Sequence, residues 1–241
     1  MTLETLDIIN GIFSIIFVVI SLLVGLIILT KYFKYKERIY FFVACTWILI
    51  SEPWWPSSIS FLVALNNDIG LQAEMYFLIG NILVPLAIIF WLAAFTEFLY
   101  KEKRKIILFL FGIYGLIFEI LFFSFLVLDP NLIGELNPPV DANYKFFIMA
   151  SLISFLIIVV ATGFMFANLS LKSDDPEVKL KGKLLILAYL SFSVGALLDS
   201  SVPLNEVIII ITRLILISSA FEWYSGFILP SWMRRLLLKK K

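Results

Sequence analysis

Seven runs of apolar residues, at about 8–30, 39–65, 74–99, 106–128, 144–170, 183–201 and 205–229, alternate with short segments rich in charges and turn-forming residues. An α-helix needs about 20 residues to cross the hydrocarbon core of a bilayer, and each run has that length. The pattern predicts an all-α, polytopic membrane protein: a seven-helix transmembrane domain over 1–230 and a basic tail at 231–241. The run at 39–65 would measure about 40 Å at 1.5 Å per residue. It is interrupted by SEPWWPSS, where Pro53 and Pro56 each remove an amide donor and crowd the preceding turn. These two prolines predict a kink, or a break followed by a short helix.

The cations set an orientation. All but Lys145 and Arg213 of the 19 Lys and Arg residues lie in alternate connectors (31–38, 101–105, 172–183) or in the tail. Positive residues are retained on the cytoplasmic side, so the N-terminus is expected outside and the C-terminus in the cytoplasm. An odd number of helices demands opposite sides independently. Glu4 and Asp7 precede the first run and Lys31 follows it, the reverse of a secretory leader, so that run is expected to be retained as a helix. Trp54 and Trp55 are expected near one membrane surface and Trp232 near the other, with Trp223 either beside Trp232 or packed in the interior.

Composition then narrows the chemistry. The 241 residues are 61% hydrophobic and 15% charged, with a formal net charge of +1, which offers no basic surface for nucleic acid. There is no histidine, hence no imidazole base, haem ligand or pH switch. The one cysteine, Cys45, excludes an intrachain disulfide and reads as a small apolar residue. No enzyme activity, metal or other cofactor is expected. The bilayer is the certain partner, and a cytosolic or membrane protein is the expected second one.

Charges inside a membrane need partners or water, and they are functional candidates by default. Glu52, Glu119 and Arg213 fall at comparable depths in the second, fourth and seventh runs. They predict an intramembrane charge cluster in which Arg213 meets Glu119 first and Glu52 second, with Glu206 two turns from Arg213 on its own helix. Gly112, Gly115 and Glu119 share one stripe, and so do Ala188, Ser191, Gly195 and Asp199, as expected of helix-packing seams. Asp199, Glu97 and Glu222 lie near span ends and read as interfacial.

No lysine occurs between Lys183 and Lys239, so the seventh helix cannot hold retinal as a Schiff base. Pro56-Ser57-Ser58-Ile59-Ser60-Phe61, Gly195-Ala196-Leu197-Leu198-Asp199, Arg213-Leu214-Ile215-Leu216-Ile217-Ser218-Ser219, and Tyr224-Ser225-Gly226-Phe227-Ile228-Leu229-Pro230 before a basic tail cover the ends of three spans. On these segments the chain resembles the seven-helix sensory modules at the N-terminus of prokaryotic histidine kinases, and stand-alone archaeal proteins of the same shape. The resemblance implies a receptor-like protein that passes a cue to a separate partner. With the chain ending at Lys241, no transmitter domain is expected to follow. A small transporter or channel using Glu52, Glu119 and Arg213 is the alternative.

Overall fold

The computed structural model describes residues 3–202 and 205–238. Its α-helices are α1 (Thr5–Tyr35), α2 (Arg38–Ile50), α3 (Trp55–Asn67), α4 (Ala73–Asn81), α5 (Val84–Phe98), α6 (Arg104–Leu128), α7 (Phe146–Leu171), α8 (Pro176–Ser201), α9 (Glu206–Ile228) and α10 (Ser231–Leu237). Taking α2 with α3 and α4 with α5 as single elements, seven are long and apolar enough to cross a membrane.

Helix starts follow from local chemistry, because the first amides of a helix lack partners within it. At α1, Glu4 and Asp7 form a reciprocal capping box. At α8, Asp175 Oδ1 accepts from the Glu177 amide at 2.7 Å, with Pro176 in the first turn. At α9, Asn205 Oδ1 accepts from the Ile208 amide at 2.9 Å. Glu206 is exposed in the first turn of α9, where the helix dipole favours an anion.

The helices close into a ring. α1 packs on α2, α3 and α9; α2 on α5; α5 on α7; α7 on α8; and α8 on α9. α6 stands outside the ring against α5, with Tyr114 and Phe118 reaching Phe155 of α7 at ring-centre distances of 5.1 and 5.5 Å. Its outward Leu116, Ile117 and Ile120 are exposed, the arrangement lipid requires and water penalises.

Two adjacent spans are broken. α2 and α3 are separated by a 3-10 turn over Glu52–Trp54, at the segment that holds Pro53. α4 and α5 are separated at residues 82–83, where the sequence predicts one continuous helix. The reason is Pro85, which has no amide to bond the Asn81 carbonyl four residues earlier and whose ring crowds it.

A second departure lies between α6 and α7. Residues 129–143, read as a connector, contain a 3-10 turn (Pro130–Leu132) and an antiparallel hairpin of β1 (Gly134–Asn137) and β2 (Asp141–Tyr144), in register Gly134↔Tyr144 and Asn137↔Asp141. The hairpin lies at the same end of the bundle as the start of α1. At the opposite end, Glu177 pairs with Lys181 at 3.8 Å and with Arg234 of α10 at 2.5 Å, and Arg104 pairs with Glu97. Lys239, Lys240 and Lys241 of the predicted tail lie outside the described residues.

Candidate functional site

Arg213, on α9, is 2% exposed and sits inside the ring. A buried guanidinium is tolerable only when paired and hydrogen-bonded, and three elements supply the partners. Its Nη1 donates to Asp199 Oδ2 of α8 at 2.8 Å, and its Nη2 donates to Asn10 Oδ1 of α1 at 2.9 Å. Trp54 Nε1, from the 3-10 turn, donates to the same Asp199 Oδ2 at 2.8 Å, and its ring centre lies 5.9 Å from the Arg213 Cζ. Phe17 and Phe192 box the Trp54 indole edge-on at 5.0 and 6.0 Å. Arg213 Nε and Asp199 Oδ1 have no hydrogen-bond partner in the protein.

This arrangement corrects the predicted pairing. Arg213 meets neither Glu119 nor Glu52, and Glu206 is not in its shell. Helices four and seven would have had to be neighbours, but α6 lies outside the ring, whereas α8 and α9 are consecutive antiparallel partners. The packing of α8 against α9 brings Asp199 within reach of Arg213. Asp199 is therefore an ion-pair residue of the bundle interior rather than an interfacial acid. Trp54 is likewise a core residue, at 6% exposure, and Trp223 takes the interior one of its two expected places, at 2%, while Trp232 on α10 is exposed.

Glu52 has a separate task. Both of its carboxyl oxygens face the Leu83 amide, at 2.8 and 2.9 Å. The acid of one broken span thereby caps the start of the half-helix α5 in the other, satisfying an amide at the positive end of its dipole. Glu119 lies close enough to act on Glu52 electrostatically. Its Oε2 is buried without a partner, as is Asn81 Oδ1. Of the four predicted cluster members, the structure brings Glu52 and Glu119 near each other and leaves Arg213 and Glu206 elsewhere.

A cavity of about 550 Å³ opens beside the arginine. Its polar wall holds Asp7, Asn10, Ser57, Tyr76, Asp199 and Arg213. Its apolar wall comes mainly from α5 and α7, with Val84, Ile88, Leu152 and Leu156, and Val140, Asp141 and Ala142 of the hairpin cover it. The hairpin is tied to α3 and α4. Tyr76 donates to the Val140 carbonyl at 2.9 Å and receives the Ser57 hydroxyl at 2.8 Å. Ser60 donates to the Pro139 carbonyl and accepts from the Leu71 amide at 2.8 Å. Asn81 Nδ2 donates to the Tyr144 hydroxyl at 3.2 Å. Gly70 permits this close approach, with φ at +86° and Pro139 O 2.8 Å from where a Cβ would stand. Burial pushes the Asp141 carboxyl up from the ordinary aspartate range and the Tyr144 hydroxyl up to about 12.

Towards the opposite end the interior is filled by aromatic rings. Trp47 stacks on Trp223 at 4.9 Å, Trp91 and Tyr189 lie 5.7 and 5.5 Å from Trp223, and the Trp91 indole donates to Thr162 at 2.7 Å. Trp47 Nε1, Trp223 Nε1 and Tyr189 OH lack partners in the protein. Among the described residues, no group of three or more Cys, Asp or Glu side chains is placed to hold a metal ion.

Asn10 and the hairpin are absent from the sequence-level site. Asn10 sits in an otherwise apolar run, and an amide at that depth signals a buried partner. The hairpin's alternation is too short to stand out. No family model matches the chain, and no curated protein matches it.

Proposed function

We propose that the protein is a receptor-like, multi-pass cell-membrane protein that binds a small, partly apolar molecule in the cavity beside Arg213, without an enzymatic step of its own. The cavity carries this reading: it combines a polar wall with apolar walls at one end of the bundle, and Phe192 of its lining packs on Trp47 of the aromatic core at 5.8 Å. Its volume falls in the range of small-molecule sites. Occupancy would bear on α1, α8 and α9 together through Asn10, Asp199 and Arg213, and the cationic opposite end is where a separate partner protein would read the change.

The test uses purified full-length protein in nanodiscs with 2-phenylethanol as an uncharged probe. A molecule that binds only the folded state raises the unfolding temperature. The expected result is a saturable rise that disappears in Ala196→Trp, whose indole fills the cavity. An equal rise in the variant, or none in the wild type, would overturn the reading.

The orientation belongs to the same proposal: the hairpin end outside, the end bearing connectors 31–38, 101–105 and 172–183 in the cytoplasm, as the cation asymmetry requires. On a Cys45→Ser background, Asn131→Cys should react with an impermeant maleimide on intact cells, and Lys103→Cys only after permeabilisation. Equal labelling refutes the orientation.

Transport is a second reading, favoured by the two broken helices meeting at one level with Glu52 between them, because interrupted helices line substrate paths in transporters. Proteoliposomes containing a pH-sensitive dye distinguish it. Transport coupled to protons through this acid requires internal acidification that Glu52→Gln abolishes; a receptor shows none.

A further inference from the structure

We propose that the ligand of this cavity is a small organic cation with an apolar body, its charged head seated between Asp7 of α1 and Asp141 of the hairpin. The inference rests on the ligand-binding reading above and adds the ligand's chemical class.

Four charged side chains line the cavity: Asp7, Asp141, Asp199 and Arg213. The single guanidinium has its two terminal nitrogens held by Asp199 and Asn10, and only its Nε lacks a partner. That leaves Asp7 and Asp141 on the wall with no cation in ion-pair range among the described residues. Asp7 has only the Glu4 amide, at 3.2 Å, and the Asp141 side chain has the Asn137 amide group at 3.5 Å and the Ala142 backbone amide, all of them neutral donors. The two acids are near enough to repel each other.

A partly buried acid pair without a counter-ion is costly, and a cation placed between its members removes that cost, while an anion adds to it. Asp199 Oδ1, with no donor from the protein, offers a further acceptor on the same wall. Burial is the first cause of the raised Asp141 carboxyl and Asp199 adds to it, while the Ala142 amide, Asn137 and the more distant Arg213 offset this only in part. Below the acids, the surface turns apolar at Val84, Ile88, Leu152 and Leu156. A head that is positive and a body that is apolar match the two parts of the wall.

The experiment compares three probes that share one apolar body: 2-phenylethylamine, which is an ammonium at pH 7.5, 2-phenylethanol and 3-phenylpropionate. Binding to the full chain in nanodiscs of zwitterionic lipid is read from Trp fluorescence and from the unfolding temperature. The ammonium should bind at least about tenfold more tightly than the alcohol, and the carboxylate more weakly than either. Asp7→Asn with Asp141→Asn should erase the preference, so that ammonium and alcohol bind equally within that variant. If that double variant does not fold, Asp141→Asn alone should cut the preference at least about threefold. Equal binding of ammonium and alcohol, both lost in Ala196→Trp, overturns the cation and leaves the cavity reading standing. No binding of any probe, or binding that Ala196→Trp leaves intact, overturns both.

Discussion

Arg213→Leu is expected to destabilise the protein by about 3–5 kcal/mol, the range seen when one member of a buried ion pair is removed. The leucine strands Asp199, which is 17% exposed and keeps only the Trp54 indole as donor, and it leaves Asn10 Oδ1 with the Ser14 hydroxyl at 3.3 Å. Adding Asp199→Asn should recover much of the loss, since an amide oxygen still accepts from Trp54 and no unpaired charge remains. Adding Glu119→Gln should recover nothing, because α6 does not adjoin α9. Denaturation of all three variants in one detergent gives the comparison. Rescue by Glu119→Gln and not by Asp199→Asn would mean that Arg213 pairs across the bundle instead of between α8 and α9.

That contrast marks where the sequence stops being legible. Span number and approximate limits can be read from the chain because the bilayer imposes one length on every helix and excludes charge from its middle, a constraint local enough to appear as runs. Arg213 is conspicuous for the same reason. Its partner is not, since pairing depends on which helices adjoin, and apolar lipid-facing and helix-facing positions look alike in a span hydrophobic on all sides. Gly112 shows the difficulty: it shares a stripe with Gly115 and Glu119, yet a Cβ there would meet nothing within 4 Å, while one at Gly115 would lie 3.0 Å from Pro85. Asp199 does not read as an interior residue because a position two residues from a helix end can still be inside the protein when a long arginine from the next helix reaches up to it. Pro85, by contrast, was legible in principle: it breaks the third span by the same physics as Pro53 in the second.

Those two breaks depend on each other, and Glu52 is the link. Glu52→Ala is expected to cost about 1–3 kcal/mol, the range for a buried donor left without its partner, because the Leu83 amide loses its acceptor where water cannot replace it. Glu52→Gln keeps one carbonyl oxygen in place and should lose less than half of that. Glu119→Gln should be nearly neutral, since Glu119 Oε2 bonds nothing in the protein. The cap has value only while the helix is broken. Pro85→Ala restores an amide that can bond the Asn81 carbonyl, and so permits α4 and α5 to join. In the Pro85→Ala background, Glu52→Ala should therefore cost markedly less than in the wild type, a coupling that a double-mutant cycle measures directly. Equal costs in the two backgrounds would show that Glu52 stabilises the bundle by something other than capping the half-helix.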